Sequence, residues 1–236
     1  MADRGEVEIT WLGHATFRIR TAAWKTILVD PWLEKNPACP AALKTITKLD
    51  AVFITHGHFD HIGDAVTLGR EHQAPTVCNF ETSVWLEGKG VTSCVGMNKG
   101  GTVSVAGLKT SMVHADHSCG ILDEGRIVYG GDPCGYVIEM ENGYRIYHAG
   151  DTNVFGDMKL IGELYRPDLA MIPIGGHYTM SPREAALACR LLGARDVIPM
   201  HFGTFPILAG TPAELRELTR GVPNLTIREL EPGASL

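Results

Sequence analysis

The most constraining feature of the chain is a seven-residue stretch, Thr55-His56-Gly57-His58-Phe59-Asp60-His61. It follows directly on the apolar run Ala51-Val52-Phe53-Ile54, which reads as a strand covered on both faces. Four metal-ligand side chains therefore crowd onto the end of a buried strand. Imidazole binds zinc, manganese or iron, and carboxylate suits the harder of these ions. On a tight loop, His56 and His58 can turn to one ion while Asp60 and His61 face a second. Chance surface histidines account poorly for such density directly after an apolar strand.

A site assembled at strand ends needs ligands from other strands, and three places supply them. Met112-Val113-His114-Ala115-Asp116-His117-Ser118, Tyr147-His148-Ala149-Gly150-Asp151-Thr152 and Val197-Ile198-Pro199-Met200-His201-Phe202-Gly203 each place His or Asp where an apolar run stops. Singly, each reads as a turn aspartate or a packed histidine. Together with the first cluster, they are better explained by one shared site. Between His114 and His117 the spacing does not choose.

Short alternating strands are expected early (8–12, 16–20, 26–30), then the strand 51–55 and helices at 64–72 and 82–87. The middle is strand-rich (101–105, 108–113, 127–130, 136–140, 144–148), with Asn142-Gly143 as a hairpin tip. From Asp151 onward helices alternate with strands. Ser181-Pro182-Arg183-Glu184 and Thr211-Pro212-Ala213-Glu214 both read as helix starts, with a capping hydroxyl, Pro at the first position and Glu at the third. A final strand is expected at 225–230. Two sheets packed face to face with helices outside accommodate this order, as do other α/β layouts.

The chain of 236 residues can bury a sizeable core. With no internal linker or repeat, one domain over 1–236 is expected. Its 27 acidic and 21 basic residues give a net charge of -6, which speaks against a broad grip on nucleic acid. No apolar run is long enough for a membrane span. The polar start Met1-Ala2-Asp3-Arg4 does not look like an export signal, so a cytoplasmic protein with six reduced cysteines is expected.

The His-x-His-x-Asp-His pattern, the later Gly-Asp-Thr and the late Met-His resemble the metallo-β-lactamase superfamily. More specifically, Trp11-Leu12-Gly13-His14-Ala15-Thr16-Phe17, Ala115-x-His117-Ser118, His148-Ala149-Gly150-Asp151-Thr152, the segment from Ile172 to Met180, and Pro199-Met200-His201-Phe202-Gly203-Thr204-Phe205-Pro206 resemble the UPF0173 metal-dependent hydrolases, a group similar to ascorbate-6-phosphate lactonases. The likeness spans about residues 7 to 230. Tyr178 stands where that family usually has Phe. The resemblance implies an α+β fold, a four-layer αβ/βα sandwich of two mixed sheets flanked by helices. It also implies a dinuclear centre, in which His56, His58 and His117 hold one ion, Asp60, His61 and His201 the other, and Asp151 bridges them. His117 is preferred to His114 because it matches the family's Ala-x-His-Ser block. Homo-oligomers are a further implication.

Two zinc or manganese ions (or iron) against the charges of Asp60 and Asp151 leave about two positive charges at the centre, a field that favours bound hydroxide and an anionic substrate. Hydrolysis of an ester, lactone or phosphodiester in a small molecule is the expected reaction, with Asp60 and Asp151 as the catalytic carboxylates. Asp60 is the candidate proton acceptor. No Ser-His-Asp or cysteine nucleophile signature competes. A metal-binding sensor or scaffold without catalysis is the alternative, although all seven ligand positions are filled. Around the ligands, Asp30 is placed either to accept from a ligating imidazole or to cap its own Asp-Pro turn. His14 and His177, in glycine-flanked loops, are candidates for supporting the ligands or touching substrate, and His148 reads as structural.

Overall fold

The computed structural model describes residues 2–236. Strands β1 (Glu8–Trp11), β2 (Phe17–Arg20), β3 (Thr26–Val29) and β4 (Ala51–Phe53) lead into the short helix α1 (Phe59–Ile62) and α2 (Ala65–His72). Strand β5 (Thr76–Asn79), helix α3 (Phe80–Gly88) and strand β6 (Cys94–Met97) complete the first half. The six strands form one sheet in sequence order, antiparallel as far as β3 and parallel from there on.

The second half opens with β7 (Thr102–Val105) and β8 (Leu108–His114), followed by a separate hairpin of β9 (Gly120–Asp123) and β10 (Arg126–Tyr129). Then come β11 (Cys134–Glu139), β12 (Arg145–His148), α4 (Met158–Tyr165), β13 (Leu169–Pro173), α5 (Pro182–Leu192), β14 (Asp196–Met200), α6 (Pro212–Leu218) and β15 (Thr226–Ile227). The second sheet has the order β15-β14-β13-β12-β11-β8-β7, antiparallel up to β12 and parallel from β12 to β15.

Strand alternation builds the layers. Ile27, Val29, Ala51 and Phe53 point inward and meet Met112, Tyr136, Ile138, Met171 and Ile198 of the second sheet in a shared core. The intervening Leu28 and Val52 point outward against Ala65 and Leu68 of α2 and Leu86 of α3. On the far side, Ala170, Ile172 and Val197 pack against Met158 and Ile161 of α4, Ala185 and Leu192 of α5 and Leu215 of α6. Each Val, Leu, Ile, Met or Phe side chain among them taken from water contributes roughly 1.5–3 kcal/mol. The result is the four-layer αβ/βα sandwich that the resemblance implied. Among the described residues no helix is long and apolar enough to cross a membrane.

Five local expectations shift. Residues 59–62 form a helical turn rather than a loop, so Asp60 and His61 project from α1. Strands β5, β6 and β9 were not foreseen. Strand β5 is buried on both faces and β6 carries Gly96, so neither shows a period of two. The last strand shrinks to two residues at the sheet edge.

Candidate metal centre

All the expected ligands lie where strands run out at one edge of the sandwich. His56, His58, Asp60 and His61 follow β4, His117 follows β8, Asp151 follows β12 and His201 follows β14. The two sheets touch here, with Cys134 N–H donating to the Thr55 carbonyl at 3.0 Å. Two glycines allow the close fit. A Cβ on Gly57 would sit 2.4 Å from Ile121 Cγ1, and one on Gly150, whose φ is +63°, would sit 2.7 Å from the Cys134 carbonyl oxygen. His14, Asp30 and His201 also take left-handed backbone, at φ of 57°, 50° and 56°. Such conformations are uncommon in residues with a Cβ and cluster at functional sites.

The ligand atoms form overlapping groups, each with its members within 4.8 Å of one another: His56, His58 and His117; His14, Asp60, His61 and His201; and His56, His61 and Asp151. Asp151 spans the others. Its Oδ1 lies 3.3 Å from His61 Nε2, and its Oδ2 lies 3.0 Å from His201 Nε2, 3.7 Å from His117 Nε2 and 4.0 Å from His56 Nε2. His114 stays outside, exposed and edge-on to Phe155 at 4.8 Å.

Supporting residues fix which ring nitrogens are free. Fully buried Asp30 accepts from Thr55 N–H through Oδ1 (2.8 Å), and from Thr55 Oγ1–H and His61 Nδ1–H through Oδ2 (both 2.7 Å). With its hydrogen given to Asp30, Thr55 Oγ1 can only accept from His56 Nδ1–H, at 3.0 Å. Each imidazole thereby commits Nδ1 to the support and turns Nε2 inward, the nitrogen through which a ligating histidine would bind once it is bare. Asp30 thus orients His61, while the turn is closed by its backbone carbonyl, which accepts from Trp32 N–H at 2.9 Å.

The same donors show that cations fit. His61 Nε2, Asp151 Oδ1 and both ring nitrogens of His201 are buried without a hydrogen-bond partner. His201 Nε2 is close to Asp151 Oδ2 but lacks the alignment of a hydrogen bond. His56 Nε2 faces His58 Nδ1 at 3.0 Å, two ring nitrogens directed at one point. Unsatisfied buried polar atoms cost about 1–3 kcal/mol each, so a cluster of them marks a place built for a ligand.

Electrostatics agree. Burial alone would raise the Asp151 carboxyl, yet His201 and His61 outweigh it and hold the group well below the carboxylate range. Asp60 behaves likewise, burial being overcome by the charge of His61, by the hydrogen bond from His14 and by His201, whose Nε2 lies 3.8 Å from Asp60 Oδ2. Conversely, burial would lower His61 and His201, but Asp151 and the neighbouring carboxylates raise both, His201 to about 9. The acidic side of the centre thus draws positive charge inward. On the other side, His56, His58 and His117 are all lowered, first by burial, so their lone pairs are available at neutral pH.

His14 is completely buried, with Nε2 2.9 Å from Asp60 Oδ2 and Nδ1 3.0 Å from Thr204 Oγ1. His148 donates from Nε2 to the Ala15 carbonyl (3.0 Å) and accepts Gly150 N–H at Nδ1 (3.1 Å), pinning the loop before Asp151. His177 is exposed and edge-on to Tyr178, outside the ligand groups. All six cysteines are free. Four supporting groups escaped sequence reasoning: the Thr55 and Thr204 hydroxyls, Ser118 Oγ at 3.3 Å from His58 Nε2, and Cys119 Sγ, which accepts Gly57 N–H at 3.2 Å. Ser118 and Thr204 lie inside blocks that carry the family resemblance, which is the signal that could have flagged them.

Comparison with known proteins gives one answer. A family model described as a Beta-lactamase superfamily domain matches residues 25–202. A UPF0173 metal-dependent hydrolase of Solibacter usitatus is 55% identical over 227 residues, covering 96% of this chain and 98% of its own. Another, from Koribacter versatilis, is 53% identical over 227 residues and 96% of each chain. The solved structure of Igni18, a novel metallo hydrolase from the hyperthermophilic archaeon Ignicoccus hospitalis, is 37% identical with a TM-score of 0.86, covering 98% of this chain and 97% of its own. Sequence blocks, layered fold and converging ligands agree with these likenesses, and the chain belongs to the UPF0173 metal-dependent hydrolase family of the beta-lactamase superfamily.

Proposed function

We propose that this metal-dependent hydrolase holds two divalent cations, zinc or manganese with iron also suited to the donors, and cleaves an ester, lactone or phosphodiester in a small anionic molecule. The observation that carries this reading is Asp151, whose two oxygens face ligands of both groups. His56, His58 and His117 would hold one cation, Asp60, His61 and His201 the other, and Asp151 would bridge them. Bound there, such ions polarise an electrophilic oxygen and bring the pKa of water down to roughly 7.

The protein's own groups supply the rest. His56, His61, Asp151 and His201 are buried, whereas His58, Asp60 and His117 are partly open, so substrate approaches from the side of the latter three. Water is excluded behind the ligands by the closed interface at Thr55 and Cys134. Asp60 engages His14 through Oδ2, and its side chain is 14% exposed, so it borders the side from which substrate approaches. Two dications against two carboxylates leave about two positive charges, which favours an anionic substrate.

The test is elemental analysis of protein produced with ample metal, followed by turnover of bis-p-nitrophenyl phosphate, p-nitrophenyl acetate and a simple lactone with and without manganese or zinc. About two ions per chain and metal-dependent turnover are expected, the two-metal arrangement being the premise. No bound metal would overturn the reading. Two bound ions without turnover on any substrate would favour a metal-binding sensor or scaffold.

A further inference from the structure

We propose that His14 is a positioning residue for the Asp60–His61–His201 ligand set, holding Asp60 through its ring and His201 through its backbone and ring face, with the Thr204 hydroxyl donating to its other ring nitrogen and so holding the ring in place. This rests on the two-cation reading above and assigns a role to the Trp11–Phe17 block, which the ligand set leaves unused.

The segment Leu12-Gly13-His14-Ala15-Thr16 is a tight turn, closed by Leu12 N–H to the Thr16 carbonyl at 2.9 Å and Thr16 N–H to the Gly13 carbonyl at 3.1 Å. Asn36 Nδ2 braces it from outside by donating to the Gly13 carbonyl at 3.3 Å. At its tip His14 adopts left-handed backbone, φ 57°, and its side chain is fully buried. The exposed face of the centre is therefore closed to it, and it touches no substrate.

Hydrogen-bond chemistry decides what the ring does. A ligating carboxylate is ionised and can only accept, so the 2.9 Å contact to Asp60 Oδ2 requires a hydrogen on His14 Nε2. Nδ1 is then bare and accepts from Thr204 Oγ1–H at 3.0 Å. A nitrogen that donates cannot also ligate, so His14 supports the set although its ring lies within the same group of atoms. His201 is held by the same residue in two ways. Its N–H donates to the His14 carbonyl at 2.9 Å, and the two rings pack 3.9 Å apart. The His14 carbonyl also accepts from Trp11 Nε1 at 2.9 Å, and Trp32 meets the ring edge-on at 5.1 Å. One residue of the first sheet's opening turn thus sets the geometry of one ligand from α1 and another from the end of β14.

The experiment compares wild type with His14→Leu, His14→Gln, Thr204→Val and Thr204→Ser. For each, manganese and zinc are titrated against a competing chelator, kcat and KM are measured on bis-p-nitrophenyl phosphate, and thermal unfolding of the metal-free protein is recorded. His14→Leu is expected to weaken one of the two cations about 10- to 100-fold, the usual scale for losing an outer partner of a ligand. The other cation should be unaffected, and the loss should fall on kcat more than on KM. Glutamine restores an N–H at the Nε2 position, so His14→Gln should recover much of the affinity, which a ligating role would not allow. Thr204→Val should shift affinity in the same direction by a smaller factor, and Thr204→Ser, which keeps the hydroxyl, should restore it. Should His14→Leu fail to fold, the two Thr204 variants decide. Wild type with two cations and Thr204→Val or folded His14→Leu of equal affinity would overturn this inference alone. Wild type with fewer than two would overturn the two-cation reading and this inference with it.

Discussion

His114 and His117 stand three residues apart at the end of β8, and only one of them turns inward. Removing His117 deletes a donor from the His56–His58 group, so His117→Ala should reduce bound metal to about one ion per chain and abolish most turnover. His114 packs on Phe155 at the surface, so His114→Ala should keep full metal content. Elemental analysis of the two variants checks the pair, and the reverse outcome would place the ligand at His114. A second prediction concerns protons. Without metal, the His201 imidazole is pushed up to about 9 because the attraction of Asp151 overcomes its burial. It therefore carries a proton below that pH, yet it can ligate only through a bare nitrogen. Metal uptake at pH 7.5 should release roughly one to two protons per chain, His61 being raised as well, and apparent affinity should climb as pH rises from 7 toward about 9. Calorimetry in buffers of different ionisation enthalpy measures this, and uptake without proton release would contradict it. At this scale the sequence was most informative where chemistry is dense: four metal-binding types of side chain within six residues announce themselves. Thr204 on His14, 190 positions away, leaves no local spacing to read, because a hydrogen bond across the fold has no sequence period.

Helix α5 was legible in full because its signals are local. Ser181 Oγ accepts from Arg183 N–H, Glu184 accepts from Ser181 N–H at 3.0 Å, Pro182 opens the helix, and Gly193 closes it in the left-handed conformation at φ 63°. Ser181→Ala should cost about 0.5–2 kcal/mol of unfolding free energy, as loss of a capping oxygen does. Urea unfolding measures it, while metal content should stay at the wild-type level because α5 carries no ligand. An unchanged midpoint would mean that Glu184 and Pro182 alone hold the helix start. Strands β5 and β6 were not legible for the opposite reason, since their identity comes from what covers them. Thr76-Val77-Cys78-Asn79 is buried throughout, and β6 is a half-exposed edge with a glycine in it. Helix α1 spans only four residues, too few to show a helical period, although it carries two of the candidate ligands.

Across the whole molecule, the candidate ligands divide between the sheets. His56, His58, Asp60 and His61 belong to the first, and His117, Asp151 and His201 to the second. The apolar core joins these sheets along their faces, and bound cations would join them again at the edge, between segments as far apart in sequence as His56 and His201. Only the folded chain brings these donors together, so metal acts as a ligand of the native state. Free metal at a hundred times its Kd stabilises that state by about 2.7 kcal/mol. For a chain of this size, each kcal/mol moves Tm by about 2–4 °C. Stripping the protein with a chelator should therefore lower Tm by roughly 5–10 °C, and restoring zinc or manganese should recover it. The variants above separate this linkage from general destabilisation. Ser181→Ala should lower loaded and stripped protein alike and leave the gap between them unchanged, whereas His117→Ala should narrow the gap with little effect on the stripped form. Equal melting temperatures before and after chelation of wild type would show that the donors meet without gripping a cation, and the two sheets would then be joined by their apolar faces alone.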